Sequence, residues 1–431
     1  MSALRVAVSG AGIGGLALAQ GLRRRGVEVT VYESDGSALS RDQGFRLRID
    51  AQGRAALADC LPARLHRLAE DTAGRPYTSR GLCFDHRLTR LGAHRPAAAP
   101  DGTDGRDNRD NLDDRKGRTD PNDPNDRAGL DDPGAASMVA DRRVLRQILL
   151  TGLGDAVRFG HRVTGYRPAG EGVFLDFADG TAAAADVLVL ADGINSRARR
   201  HLLPRAQVLD TGLRAVQGHM PLDAEALDWV PPELLGGSRP VLGPHRTTLV
   251  VGAYQPRRPV AEAVAEHAPG ADIEAVRAYF KWTLVAPAGQ FPYAGAGLSA
   301  AGPLGLHAAA TRMTKGWHPL LRRVLARSDR AATFALSIRA VPVPDAWPPG
   351  RVTALGDCVH APTPVGGLGA NTALRDAALL SGRLADARAG RLDVTGAIGL
   401  YEEEMRGYAR AAVDGSLRGA ETVFRADPLP V

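Results

Sequence analysis

Cysteine, lysine and aromatic residues are all scarce in this 431-residue sequence. Cys60, Cys83 and Cys358 are odd in number, far apart and never in C-x-x-C spacing, which excludes a disulfide framework and a cysteine-built zinc site. That usage suits a reduced, cytoplasmic compartment. No stretch approaches the ~20 apolar residues of a membrane span, and the first apolar residues begin a strand rather than a cleavable leader. Lys116, Lys281 and Lys315 are the only lysines, so the net charge of +6 is carried by arginine. It comes with neither a basic helix nor an aromatic RNA-binding signature, and nucleic acid is not expected as a partner. Aspartates crowd residues 101–132, yet the D-x-[DN]-x-[DN]-G loop with its terminal Glu is missing, so no metal site is expected.

What is present suffices for two packed domains, since 44% of the residues are hydrophobic. Leu4 to Ser9 reads as a strand, Gly10-Ala11-Gly12-Ile13-Gly14-Gly15 follows, and a helical pattern runs through Arg25. Val27 to Tyr32 is a second strand ending at Glu33. This is G-x-G-x-x-G in its required setting, with strand before, helix after and an acid roughly 20 residues on for a ribose hydroxyl. Gly10 permits the turn, Gly12 admits a pyrophosphate close to the backbone, and Gly15 lets helix and strand touch. The plain alternative is a βα turn that binds nothing, and the motif alone does not separate NAD from FAD.

A second glycine-rich site lies late in the chain, ALGDCVHAPTPVGGLGANTALRDAALLSGRLADA from Ala354 onward. It reads as a strand reaching Gly356-Asp357, a Pro-rich loop, a glycine turn and a helix carrying Leu374, Ala377, Ala378 and Leu384. Bare N–H groups at such a helix start favour an anion or an electron-rich ring edge. A third signal is Asp192-Gly193 with Ser196 and Arg199 after a buried apolar strand, at the carboxyl end where ligands of doubly wound sheets bind. Arg46 and Arg48 project from one strand face, where one could reach a cofactor or simply be solvated. Asp141 is placed as the N-cap of a helix whose Arg142 opposes the dipole and so needs an anionic partner.

Between these signals the pattern predicts helix over Asp50–Leu68 broken at Pro62, and strands at Leu213–Met220, Thr247–Tyr254, Leu304–Ala309 and Phe334–Val343. It predicts a helical region over Pro259–Lys281, a helix over Trp317–Arg330 and a long helix over Ile398–Arg425 with Glu402 to Glu404 exposed. His219, His307, Tyr293 and Arg214 are pocket candidates whose alternative is plain core or surface. Residues 96–136 lack the apolar side chains to offset the entropy of ordering and are expected to form a disordered acidic insertion.

The three signatures, Gly10 to Gly15 with Glu33, Asp192-Gly193 with Ser196 and Arg199, and Gly356-Asp357 with Pro364 and Gly367-Leu368-Gly369-Ala370-Asn371, together resemble the FAD-dependent aromatic hydroxylases of the para-hydroxybenzoate hydroxylase fold. The end of the chain is most similar to tetracycline-inactivating and antibiotic-tailoring monooxygenases. The resemblance implies an α/β fold: a Rossmann-like FAD-binding domain with a parallel sheet (1–76, 137–203 and 341–385), and a mostly antiparallel substrate domain (77–95 and 204–340). A C-terminal helical segment (386–431) completes it. It implies that Gly10, Gly12, Gly14, Gly15 and Glu33 serve the ADP half of FAD and Arg142 the flavin side, where Arg46 is a candidate from its strand position alone. Asp192 would lie where FAD and NAD(P)H are both served, and Asp357 at the ribityl or pyrophosphate. Gly367, Leu368, Gly369, Ala370 and Asn371 would present backbone to the ring, with Pro364, Gly366, His219 and Arg214 toward substrate. Ser34 stands where the family commonly has Arg, and Leu368 where it often has Gln. The implied reaction hydroxylates an aromatic or polyketide-like small molecule with NAD(P)H and O2 through a C4a-hydroperoxyflavin, with no obligatory catalytic side chain. A non-oxygenating reductase or oxidase of the same fold is the alternative. Deleting residues 101–132 should leave FAD bound, checked by the visible spectrum of the purified deletion variant; a colourless product would make the insertion part of the fold.

Overall fold

The computed structural model describes residues 4–38, 40, 44–74, 82–91, 137–293 and 297–429. The expected disordered insertion, 96–136, lies outside them. A five-stranded parallel sheet is ordered Val352–Ala354, Val187–Leu190, Arg5–Ser9, Glu28–Tyr32 and Val157–Arg158. Val187 to Leu190, in its interior, are fully buried, with the helix Ile13–Arg24 and the strand Gly172–Phe177 both packed against the sheet. The strands end level with one another. Gly10 N–H donates to Tyr32 O (2.7 Å), Ala191 N–H to Ser9 O (2.8 Å) and Leu355 N–H to Leu190 O (3.0 Å). The loops that carry the three sequence signatures therefore leave one edge side by side.

A seven-stranded sheet, antiparallel except for one pair, runs in the order Phe334–Ala340, Leu209–Pro221, Tyr279–Pro287, Thr248–Tyr254, Arg239–Leu242, Cys83–Asp85 and Arg90–Leu91. Its outer face packs Phe280, Trp282 and Leu284 against helices Gly302–Met313 and Pro319–Ala326. Trp282 Nε1–H is satisfied by Ser328 Oγ at 2.7 Å. Glycine is required beside this indole, since a Cβ at Gly218 would collide with it. Smaller sheets pair Arg46–Ile49 with Met138–Asp141, and Val163–Ala169 with Gly172–Phe177 and Ala182–Ala185.

Local signals place several boundaries. Pro62 caps the helix Ala63–Asp71 after Ala51–Cys60 ends, as its missing N–H and fixed φ favour. Asp141 accepts from Arg143 N–H (2.9 Å) and Val144 N–H (3.1 Å) and starts Arg142–Leu150. The last helix, Val394–Val423, is capped by Asp393 and buries Tyr401, Met405, Ala409, Val413, Leu417 and Ala420 along one stripe.

Three expectations are corrected. Leu304–Ala309 is not a strand but the middle of the helix Gly302–Met313, with Leu306, Ala309 and Ala310 buried at helical spacing. The region Pro259–Lys281 is helical only over Val260–His267; Tyr279 onward joins the middle of a sheet, whose two buried faces erase the alternation that marks a half-exposed strand. Glu402 is buried rather than exposed, accepting from Thr353 Oγ1 (2.8 Å) and Trp347 Nε1 (3.0 Å). Burial pushes its carboxyl from the ordinary 4.5 up to about 7 against those two bonds and Arg406.

Because the folded chain holds the Glu402 proton longer than the unfolded chain does, this group contributes its stability fully below pH 4.5 and loses it as the pH rises to about 7. Glu402→Gln keeps the acceptor and cannot ionise. Relative to the parent it should gain about 1–3 kcal/mol between acidic and mildly alkaline pH in denaturation measurements; parallel stability profiles would count against the buried proton.

Candidate active site

The cleft at the carboxyl edge of the parallel sheet is lined by groups on four loops. Gly10 has φ +106°, and a Cβ there would come within 2.5 Å of Ala191 O; a Cβ on Gly15 would run into Gly10 O. These two glycines are needed by the protein itself. Gly12 differs: it has an ordinary φ of −78°, and a Cβ would meet nothing within 4 Å. It faces open space above the N-terminus of the helix Ile13–Arg24, a cradle for an anion. Glu33, 2% exposed, accepts from Ala11 N–H (2.7 Å), Ser34 Oγ–H (3.0 Å) and Asp35 N–H (2.9 Å). Its carboxylate thus also fastens the glycine loop. Arg146, which the sequence did not single out, donates from Nε to Ala11 O (2.9 Å) beneath the same loop.

Asp192 stands on the next loop with Oδ1 buried and without a partner among the described residues. Burial raises its pKa, while Ser196, Cys358 and Arg199 pull it down. Arg199 joins that loop to the next, donating to Cys358 O (3.1 Å) and Ile194 O (3.3 Å).

Gly356 (φ +61°) turns the chain into Asp357. The Asp357 side chain is open to solvent, yet protein surrounds it closely enough that burial raises its pKa, against the pull of Arg142 and His360. An accessible acid inside a protein-walled cleft is what a polar cofactor anchor requires. Gly366 (φ +80°) and Gly367 (φ +65°) then form the turn that opens the helix Gly369–Arg388. Asn371 uses its side chain differently from the expectation of backbone contact alone. It accepts from Asp50 N–H (2.9 Å) and donates to Arg48 O (2.9 Å) and Gly367 O (2.8 Å), clamping the turn to the 46–49 strand.

Behind this loop lies a network that no sequence motif marks. Asp376 and His360 are wholly buried, with His360 Nε2 2.7 Å from Asp376 Oδ2. Gly356 N–H donates to the same oxygen (2.8 Å) and Tyr408 OH to Oδ1 (2.5 Å). Burial works against the His360 cation, but Asp376 outweighs it and the histidine pKa is raised. The available signal was an acid on the helix face that carries the core residues Ala373, Ala377 and Leu380.

Other candidates fall elsewhere. Arg46 turns its guanidinium to Gly237 O (2.8 Å) on the seven-stranded sheet side, because the strand leaves its face toward that sheet. Arg214 binds Asp210 with two nitrogens (2.8 and 3.0 Å), and His307 is buried against Leu325 O. His219 packs beside Phe45 (ring centroids 4.6 Å apart) on the sheet face opposite Trp282. Pro364 is exposed at the loop crest. A separate concavity of about 400 Å³, lined by Arg64, Gln147, Gly152 and Asp272 among others, contains none of the candidate residues.

Comparison with known proteins matches this geometry. The family described as "FAD binding domain" matches residues 322–416, and "NAD(P)-binding Rossmann-like domain" matches residues 8–50. A Photorhabdus luminescens protein described as an FAD-containing monooxygenase shares 28% identity and the fold with a TM-score of 0.76, over 98% of this chain and 99% of that one. These matches make the chain similar to FAD-dependent monooxygenases along nearly its whole length. The 3-amino-4-hydroxybenzoate 2-monooxygenase of Streptomyces platensis is 29% identical over 93% of this chain and 83% of that protein. The dual O-methyltransferase/FAD-dependent monooxygenase elcB of Phaeosphaeria nodorum is 28% identical over 98% of this chain and 46% of that protein, so the chain spans about half the length of such fungal relatives. Klebsiella pneumoniae HpxO with FAD and uric acid shares the fold alone, with 22% identity and a TM-score of 0.71 over 97% and 89% of the two chains. The FAD-binding-domain match makes FAD the cofactor.

The open space at Gly12, the unpaired Asp192 oxygen and the accessible Asp357 fit that cofactor. Gly12→Ala should therefore fold as the parent does, with a thermal midpoint unchanged within error, yet bind FAD at least tenfold more weakly; Gly15→Ala should lose stability with or without FAD. Equal FAD affinity in Gly12→Ala, measured by flavin fluorescence, would remove Gly12 from the site.

Proposed function

We propose that the protein is a flavoprotein monooxygenase that uses NAD(P)H and O2 to place one oxygen atom on an aromatic or polyketide-like small molecule. The observation that carries this is the convergence of the Gly12, Asp192 and Asp357 loops on one cleft, with the inner face of the seven-stranded sheet on its far side. Gly10, Gly12, Gly14 and Gly15 would receive the ADP half of FAD at the helix N-terminus, with Glu33 at the ribose once it shares its carboxylate with the Ala11 N–H. Asp357, with Arg142 nearby, would anchor the middle of the cofactor. The 367–371 backbone would border the ring, its N–H groups and helix dipole favouring negative charge there. Bound FAD supplies hydride acceptance and oxygen transfer from O2.

The chain's own contribution is to position and enclose. Asn371 fixes the turn, Asp376 fixes the loop that holds Asp357, and the long helix closes the back: Thr363 N–H donates to Ser416 Oγ (2.9 Å) while Thr363 Oγ1 donates to Ser416 O (2.9 Å). Val365 meets that helix at Gly419, where any side chain would collide with it. Such packing keeps water from the reacting ring, which an oxygen transfer needs. The ring-bearing substrate named for one relative, 3-amino-4-hydroxybenzoate, supports an aromatic class.

The purified protein should be yellow with FAD, oxidise NADH or NADPH faster when an aromatic substrate is added, and yield a product heavier by one oxygen atom drawn from O2. A protein that holds no FAD would overturn the proposal, and a product without added oxygen would replace it with a reductase or oxidase.

A further inference from the structure

The inner face of the seven-stranded sheet carries polar groups that the fold leaves unused. Gln217 pairs with Thr283 across strands, and the next pair on that face is His219 with Lys281. Alternate residues of a strand share a face, so these four lie in one patch with Tyr279 at one end and Val285 at the other. Both ends are closed by contacts outside the sheet. At one end Tyr279 OH donates to Asp141 Oδ2 (2.9 Å), and Phe45 lies against His219 and Phe334. At the other, Val285, Leu213 and Ala215 pack with Ala420, Phe424 and Val365, the last from the glycine turn at the cleft. The patch therefore sits between the Arg46 strand and the 364–367 turn.

Gln217 and Thr283 are 8% and 9% exposed, and Gln217 Oε1, Thr283 Oγ1 and His219 Nδ1 are buried with no partner among the described residues. An unmet buried polar atom is costly, so three at adjoining positions point to a ligand that completes them. Lys281 makes no hydrogen bond or ion pair among the described residues. Gly252, its neighbour on the other adjoining strand, is where a side chain would strike the Arg46 guanidinium, so a second positive charge lies close by. The groups around Lys281 are His219 on one strand, Tyr279 on its own, Tyr254 beside Gly252, and Arg46 from across the domain boundary. Asp141 is held by Tyr279 and by its own helix N-terminus, and Asp329 meets the His219 backbone rather than Lys281. Lys281, without a carboxylate partner among the described residues and beside three unmet polar atoms, forms a site for an anionic oxygen.

Resting on the monooxygenase reading above, we propose that Lys281 receives an acidic hydroxyl of the substrate and holds it as the oxyanion, selecting phenols and enols over neutral rings. Gln217, Thr283 and His219 line the same site and fix the ring's orientation. The O–H bond breaks with its electron pair left on oxygen, and the proton forms an N–H bond with the lone pair of Lys281 Nζ. Ammonium and phenolate result, with net charge unchanged. Burial, helped by Arg46, draws the Lys281 pKa down to about 7, so the accepting amine is populated near neutrality. An ionised ring is more electron-rich and the better recipient of oxygen.

Para-nitrophenol and alizarin, whose ionisation is visible by colour, are the probes, added to the FAD-loaded protein between about pH 5 and 9. Bound probe should ionise about one pH unit below free probe in difference spectra. Lys281→Met should abolish that shift and weaken binding above neutrality roughly tenfold, while Lys281→Arg should retain anion binding. FAD content and NADPH consumption are measured on the same preparations. An unchanged shift in Lys281→Met, neutral-form binding by the parent, or no binding of either probe would overturn the assignment of Lys281, even for a protein that holds FAD and transfers oxygen. Absence of FAD would instead overturn the functional reading.

Discussion

A buried carboxyl group sets the position of the loop and turn over residues 356–371. Asp376 has no exposure, and a buried acid is tolerated only where hydrogen bonds replace water. Its partners come from two segments: Gly356 N–H and His360 from the loop, and Tyr408 OH from the last helix. Asp357 lies between the two loop partners, so its place in the cleft is fixed by a neighbour that never faces the cleft. The loop, its helix and the C-terminal helix are thereby one unit.

The rest of the cleft follows from the parallel sheet. Ser9, Tyr32, Leu190 and Ala354 end at one level because the strands are in parallel register, and the loops after them must share the same edge. Ion pairs contribute little to this arrangement. Several of the abundant arginines pair at exposed positions, such as Arg5 with Asp186 and Arg167 with Asp176, where water screens the charges. The arginines that matter to the site instead donate to backbone carbonyls under the loops, as Arg146 and Arg199 do.

Much of this was legible beforehand, and the limits are instructive. Gly10 to Glu33 was readable because a φ of +106° and a helix packed against its strand demand glycines at fixed spacing. Pro62 and Asp141 announced helix starts through local backbone chemistry. Leu304–Ala309 misled because six residues cannot distinguish a short apolar strand from the buried side of a small-residue helix. Tyr279–Pro287 misled because a strand buried on both faces loses its period. Glu402 looked exposed within an acidic triplet; only the arrival of Thr353 and Trp347 from distant segments made it a core residue.

Local sequence determined the loops at the carboxyl edge of the parallel sheet, since turns, caps and glycine-dependent close approaches are properties of a few consecutive residues. Tertiary structure alone decided which side chains meet across the cleft. Arg46 was drawn toward Gly237 and the sheet, Asn371 became a clamp, and Arg214 was taken by Asp210. It likewise aligned Gln217 with Thr283 and His219 with Lys281, residues more than 60 positions apart whose shared face depends on strand register. Register is fixed by how the whole sheet buries its outer face around Trp282, and no local pattern encodes that.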